Sequence, residues 1–411
     1  MLILGIETSC DDTSVALVDC SENGCVVVAE KTASQIDLHK IYGGVVPELA
    51  GRLHAEAIVP LIEGVLKKSE AEDSGLRTPD LIAVTAGPGL VTGLIVGVEA
   101  ARTLSYAWNI PVVPVNHIDG HIHSVEIRLQ QSDLGLQQPR SVPKSESRSL
   151  KSSIEFPALA LVVSGGHTEL VLLNDHGDYQ IIGRTHDDAA GECFDKVAKL
   201  LELPYPGGPK ISRLAENGRT DAIAFPRPML HDKNYDFSFS GLKTSALYWL
   251  RDHKLINPVI ARSDEGATKQ SQRITSEFVS KLESEPEEIA APRSSARNDN
   301  ITLEDFCASF EQAIVDTLVG KTMRAAREYK PKSILLVGGV SANRKLRETL
   351  NTIIQSELPG TLFLPSVGGY SMDNGAMIAV TGYYKFLKQG ATPWADLDVD
   401  PNWRVDAGFK K

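Results

Sequence analysis

The chain has 411 residues, 42% of them hydrophobic, and a formal net charge of −11. That length exceeds what one ordinary core supports, so two domains, or two lobes around a cleft, are expected. The acidic balance counts against a free-standing nucleic-acid binder, which carries a basic face, but leaves room for a local basic patch or help from a partner.

The opening "MLILGIETSC" has no basic leader and only a short apolar run, so it reads as a first strand. No apolar run approaches the roughly 20 residues that span a bilayer. The expected address is the cytoplasm. The five cysteines, Cys10, Cys20, Cys25, Cys193 and Cys307, are odd in number and include no C-x-x-C pair. This pattern predicts reduced thiols and argues against a disulfide framework.

In chain order, "LILGIETSCDDTSVALVD" (2–19) predicts a β-hairpin with a small polar turn. "DLIAVTAGPGLVTGLIVGVEAARTL" (80–104) then reads as a strand, a glycine turn and a helix. "VNHIDGHIHS" (115–124) follows, with His117 and His121 at i, i+4, a spacing that puts both rings on one helix face. Residues 128–153 are rich in Ser, Gln, Arg and Pro and read as a polar insertion.

The pattern then repeats. "PALALVVSGGHTELVLLND" (157–175) is a second hairpin, and "SILLVGGVSANRKLRETL" (333–350) a second strand, glycine turn and helix. Between them, residues 262–300 form another polar insertion, with a short helix expected in "SQRITSEFVSKLE". The repetition predicts an α/β protein with duplicated lobes and a central cleft, the layout of the actin-like, sugar-kinase and heat-shock ATPase superfamily. Two unrelated α/β domains with similar turns are the alternative. The expected division is 1–115 for the first lobe, completed by a C-terminal helix at about 376–411, and 116–375 for the second.

Several turns suit an anionic ligand. Gly165 and Gly166 let backbone amides approach a ligand, with Ser164 and Thr168 adding hydroxyls; a plain hairpin turn is the simpler reading. Gly338 and Gly339 end a strand before Ser341 and Asn343, where a helix N-terminus would attract anions. Asn343 is either a cap or a contact to a ribose or base. "TAGPGLVTG" (85–93) is the counterpart in the first half, and "YPGGPKIS" (205–212) adds Gly207 and Gly208. Asp195, in "GECFDKVAKLL", is either a first-turn acid or a ribose ligand. No stretch matches a P-loop or a complete G-x-G-x-x-G.

Two imidazoles need a third ligand to make a metal site. Asp373 in "GGYSMDNGAMIA" (368–379) is the best candidate. Such an N/O set suits iron, zinc or manganese. A zincin needs Glu directly after the first His, and here that residue is Ile118. Gly120 also weakens the helix a zincin requires. Asp119 and His123 fall off the ligand face and read as structural or solvent-facing.

Eight blocks in order, "GIETSCDDTSVAL", "GGVVPELAGRLH", "NHIDGH", "LVVSGGHTEL", "GECFDKVAKLLELPYPGGPKISRLA", "DFSFSGLKTS", "LVGGVSANRKLRE" and "SMDNGAMIA", resemble those of the universal tRNA threonylcarbamoyltransferase family, once labelled O-sialoglycoprotein endopeptidases. The likeness covers nearly the whole chain outside the two insertions and is closest to the bacterial type. It implies an actin-like fold and transfer of a threonylcarbamoyl group from threonylcarbamoyl-adenylate to N6 of the adenosine at position 37 of tRNAs that read codons beginning with A. It implies one divalent ion, iron(II) or zinc, on His117, His121 and Asp373. Val163, Ser164, Gly165, Gly166 and His167 match the substrate loop; Asp195, Gly208 and Asn343 match contacts to the adenylate; Asp11 matches an acid that assists transfer. ATP, ADP or AMP in the cleft, tRNA, a paralogous actin-like subunit, a small ATPase and a homodimer are the further ligands and partners implied. Ser212 stands where some relatives carry Asp, which removes one ribose contact. A kinase or ATPase of the same fold, a metalloprotease and a non-catalytic scaffold are the competing readings.

Overall fold

A computed structural model describes residues 1–42, 44–70, 78–128, 154–253, 301–367 and 369–409. Residues 129–153 and all of 262–300 lie outside these, so the two insertions and the helix expected in the second are not described. By internal packing the described chain forms two units. The first holds Met1–Glu192, Met229–Ser238 and Val315–Lys411, and the second Cys193–Pro228 and Phe239–Ile314.

The first unit contains two sheets. One is built from β1 (Leu2–Glu7), β2 (Asp12–Ser21), β3 (Gly24–Ser34), β4 (Leu81–Gly87), β5 (Val112–Asn116) and β6 (Ile127–Arg128), in the order β5-β4-β1-β2-β3-β6. The other holds β7 (Ala158–Val163), β8 (Thr168–Asp175), β9 (Asp178–Arg184), β10 (Ser333–Val337) and β11 (Leu362–Pro365), in the order β11-β10-β7-β8-β9. Each sheet has three antiparallel strands, joined on one side by two strands parallel to the first, and the first sheet adds the short β6 parallel to β3 at its other edge. The order fifth-fourth-first-second-third is therefore the same in both. The duplicated α/β fold expected from the repeat is present.

Burial on both faces explains why β1 is apolar from Leu2 to Ile6. Leu2, Leu4 and Ile6 pack against Ile58, Ile62 and Val65 of α2 (Pro47–Glu70), which follows the short α1 (Ile36–His39), and against Val98 and Ala101 of α3 (Val91–Trp108). Ile3 faces the other way, onto Ala376–Val380 of a C-terminal helix, Gly375–Gln389. A strand covered on both faces reads as a continuous apolar run. That helix reaches the sheet only because glycines meet. A Cβ on Gly5 would overlap the Gly375 carbonyl, and one on Gly375 would lie 2.5 Å from the Ala16 nitrogen.

The second unit is organised by aromatic rings. Phe225 meets Phe306 edge-on at 5.4 Å, and Phe194 meets Phe310 at 5.8 Å, spacings that favour edge-to-face pairs.

Two expectations need correction. Cys20 and Cys25 form a disulfide across the β2–β3 hairpin, where the register sets them opposite one another with Cα atoms 4.1 Å apart. Residue spacing alone did not show this, because pairing follows from hairpin register. The turn at 85–93 is not a free anion cradle. Gly89 donates to the Pro401 carbonyl and Leu90 to the Ser9 carbonyl, while a Cβ on Gly87 would overlap the Asp400 carbonyl. The Gly89 and Leu90 donors are already used by the chain itself. Among the described residues no helix is long and apolar enough to cross a membrane.

Candidate metal centre and active site

β5 ends at Asn116, whose side-chain oxygen accepts from the amides of Ile118 (2.9 Å) and Asp119 (3.3 Å). This caps α4 (His117–His123), a fully buried helix of two turns. The cap fixes where the helix starts and therefore which face carries His117 and His121. Their rings lie 4.7 Å apart, edge to face. Gly120, which the sequence suggested would weaken a helix, has a packing role. A Cβ there would lie 2.9 Å from Ile378, so glycine lets α4 close onto the C-terminal helix.

Asp373 arrives from more than 200 residues away. Asn374 caps the Gly375–Gln389 helix by accepting from the Met377 amide at 2.8 Å, and the Gly375 amide donates to Ser14 Oγ at 2.9 Å. Both bonds anchor the turn carrying Asp373. Its Oδ1 lies 3.2 Å from His121 Nε2 and 3.6 Å from His117 Nε2. One donor atom from each of the three residues falls within 4.8 Å of the others. His121 is fully buried, yet its Nδ1 has no hydrogen-bond partner among the described residues, and its Nε2 faces the Asp373 carboxylate. Such an orphan is costly unless something else satisfies it. A divalent ion bound by two nitrogens and one oxygen fits that need.

The electrostatics follow from this crowding. Burial disfavours a charged His117, but Asp373 and Glu7 push it up to about 9. Burial would raise Asp373, but His117 and His121 hold it well below the usual carboxylate range. His167 is pushed down to about 4, by burial first and then by His117 and His121, so it stays neutral at physiological pH. Asp11, in the bend after β1, is raised by burial and by the Asp373 charge.

The β7–β8 turn lies beside this cluster, with the His167 ring 6.4 Å from that of His117. Ser164 closes it, its amide donating to the His167 carbonyl at 2.8 Å and its Oγ accepting from the His167 amide at 3.1 Å. Gly165 and Gly166 are exposed, neither has a left-handed φ, and open space lies where a Cβ would be. Backbone geometry does not demand glycine there; room above the amides is what glycine provides. Gly338 has φ +89°, and a Cβ there would lie 2.5 Å from the Val163 carbonyl. A Cβ on Gly339 would lie 3.4 Å from the Met372 sulfur. The second glycine turn, the substrate-loop candidate Val163 and the neighbour of Asp373 thus meet in one place. The Ser341 hydroxyl is buried in this turn without a hydrogen-bond partner among the described residues.

Other candidates have structural partners. Asn343 caps the helix Arg344–Glu357, accepting from Leu346 at 2.8 Å, as the simpler reading had it. Asp195 and Gly208 belong to the second unit, where Asp195 Oδ1 accepts from the Gly207 amide at 2.7 Å and Gly208 begins the helix Gly208–Ala215. Asp195 lies within the helix Ala190–Leu200 and not at its start. Asp119 and His123 are buried, not solvent-facing. Asp119 accepts from the Tyr179 hydroxyl at 2.7 Å and sits 3.0 Å from His123 Nδ1, and His123 stacks on Tyr384. They line a separate cavity of about 220 Å³ on the other side of α4, which includes none of the candidate site residues. Glu7, at the end of β1, lies 3.1 Å from His117 Nδ1 and escaped the sequence reading. Its only signal was an acid closing an otherwise apolar strand.

Residues 26–143 and 144–380 match the family model described as TsaD, tRNA N6-adenosine threonylcarbamoyltransferase. A Bacillus subtilis protein named tRNA N6-adenosine threonylcarbamoyltransferase is 43% identical over 388 residues, covering 94% of this chain and 91% of its own. One of the same name from Thermomicrobium roseum is 42% identical over 400 residues, covering 97% and 95%. Among solved structures, full-length HypF in a phosphate- and nucleotide-bound form aligns with a TM-score of 0.50 at 12% identity, over 95% of this chain and 47% of that one. At that identity the likeness concerns the fold alone.

Proposed function

Because this chain belongs to the tRNA N6-adenosine threonylcarbamoyltransferase family, and so carries a threonylcarbamoyl group to N6 of a tRNA adenosine, we propose that His117, His121 and Asp373 are the metal ligands of its active site. We further propose threonylcarbamoyl-adenylate as donor and the adenosine at position 37 as acceptor. The observation that carries this reading is the buried His121, its Nδ1 without a hydrogen-bond partner among the described residues and its Nε2 facing Asp373, beside the open Ser164–His167 turn.

The donor is a mixed anhydride, already activated, so no covalent nucleophile is needed. The N6 nitrogen forms a bond to the carbamoyl carbon, the bond from that carbon to the phosphate oxygen breaks, and AMP departs with the electron pair. A divalent ion on the three ligands supplies Lewis acidity toward the donor's oxygens. The amides of Gly165 and Gly166 and the Ser164 hydroxyl offer donors for the oxygen charge that develops. Asp11 takes the proton released by N6; its raised affinity for protons suits a general base. We propose Asp195, Gly208 and Asn343 each as a contact to the adenylate, and iron(II) or zinc as the ion. The metalloprotease alternative lacks a base, since Ile118 stands at the required position and is buried in the core.

The acidic chain, at −11, fits a protein that engages tRNA with help. We propose a paralogous actin-like subunit and a small ATPase as that help, all in the cytoplasm. The test is reconstitution with unmodified tRNA, threonine, bicarbonate, ATP, the adenylate-forming enzyme and these partners, read by nucleoside mass. Wild type yields the modified nucleoside. His117→Ala and Asp373→Ala each lose bound metal and product together. Full activity in either variant removes that residue from the site.

A further inference from the structure

β1 runs Leu-Ile-Leu-Gly-Ile and then ends in Glu7, a carboxylate with no solvent exposure. A buried carboxylate needs a donor at each oxygen. The Ser9 amide donates to Oε1 at 2.6 Å, and the Thr85 hydroxyl, itself buried on β4, donates to Oε2 at 2.6 Å. These two bonds fix the plane of the carboxylate. A further neighbour is His117 Nδ1, 3.1 Å from Oε2.

An ionised carboxylate only accepts hydrogen bonds, so the nitrogen facing it must carry the proton. That assigns the proton of a neutral His117 to Nδ1 and leaves the Nε2 lone pair directed at Asp373, 3.6 Å away. Ser9 Oγ is also 3.1 Å from Nδ1, but a hydroxyl can donate or accept and so cannot select the tautomer. His121 Nδ1 has no such partner among the described residues. The two imidazoles are therefore unequal: His117 is oriented in advance and His121 is not.

We propose that Glu7, held by Thr85 and the Ser9 amide, is the positioning residue of the metal site, fixing His117 in the Nδ1–H tautomer with Nε2 toward the ion. The proposal rests on the reading of His117, His121 and Asp373 as ligands. Carboxylate partners of metal-bound histidines commonly change metal affinity by about 10–100-fold.

The full-length chain, stripped of metal, is titrated with Zn²⁺ against a chromophoric competing chelator at neutral pH. Glu7→Gln keeps the size but replaces one acceptor with a donor, so either the Ser9 bond at Oε1 or the Thr85 and His117 bonds at Oε2 fail. Its zinc dissociation constant is expected to rise by about 10–100-fold, with one ion still bound, and Thr85→Val to shift it less in the same direction. In the zinc-loaded wild type, ¹⁵N spectra show a proton on His117 Nδ1, a signal that Glu7→Gln weakens; a merely structural carboxylate would not move it. Unchanged zinc affinity in Glu7→Gln, with binding lost in His117→Ala, overturns the inference alone. Unchanged affinity in His117→Ala overturns the metal reading and this inference with it. If Glu7→Gln does not fold, Thr85→Val decides, and an unchanged constant there overturns the proposal.

Discussion

His117 must lose a proton before it can bind an ion. In the metal-free chain burial works against its charge, but Asp373 and Glu7 push it up to about 9, so it is protonated at neutral pH. Zinc affinity should therefore rise about tenfold per pH unit from 7 toward 9, then level off, with roughly one proton released per ion from this residue. Calorimetry in buffers of different ionisation enthalpy measures that proton. The stability sign follows from the same shift. A histidine raised from 6.5 in the unfolded chain to about 9 in the folded one stabilises fully below 6.5 and loses that contribution as pH rises through about 9. Urea midpoints of the metal-free chain should fall over that window. His117, His121 and Asp373 were legible because their residue types and the i, i+4 spacing carry chemistry on their face. Glu7 was not, because an acid ending a strand looks like a solvent-facing terminus until its burial is known.

The contact between β1 and the Gly375–Gln389 helix sets where Asp373 stands. A Cβ on Gly5 would overlap the Gly375 carbonyl and approach Ala379 N at 2.8 Å, both backbone atoms that cannot swing aside. Gly5→Ala should cost about 1–3 kcal/mol from overpacking and weaken zinc binding as well, since the displaced helix carries Asp373 with it. Denaturant midpoints and the chelator titration check both parts. A second helix terminus makes a separate case. Thr302 and Asp305 cap the helix Leu303–Tyr329 reciprocally, and Arg219 pairs with Asp305 at 2.8 Å. The Arg219 hydrogen bond holds the Asp305 carboxyl at about 2, below its ordinary 3.8. Its contribution is complete above 3.8 and lost as pH falls through about 2. Asp305→Asn should lower the unfolding temperature at neutral pH, with the gap to wild type closing in acid. The hairpins and glycine turns were readable from apolar runs and breakers. What each turn contacts was not: the 85–93 turn resembled an anion cradle but spends its amides on the Ser9 and Pro401 carbonyls.

Across the molecule, two sheets repeat one strand order, and candidate ligands from both halves of the sequence meet in the first unit. Removing metal with a chelator should abolish threonylcarbamoyl transfer in the reconstituted system, and adding back zinc or iron(II) should restore it; transfer unaffected by stripping would separate the triad from the reaction. The duplicated fold was legible because each half repeats a strand-turn-strand and strand-glycine-helix pattern, and local periodicity survives in a linear string. The family was legible from eight ordered blocks. The Cys20–Cys25 disulfide, the glycine contacts that seat the C-terminal helix and the carboxylate behind His117 were decided only by packing. Each depends on which residues distant in sequence, or opposite in register, come within a few ångströms, and a linear pattern does not encode that distance.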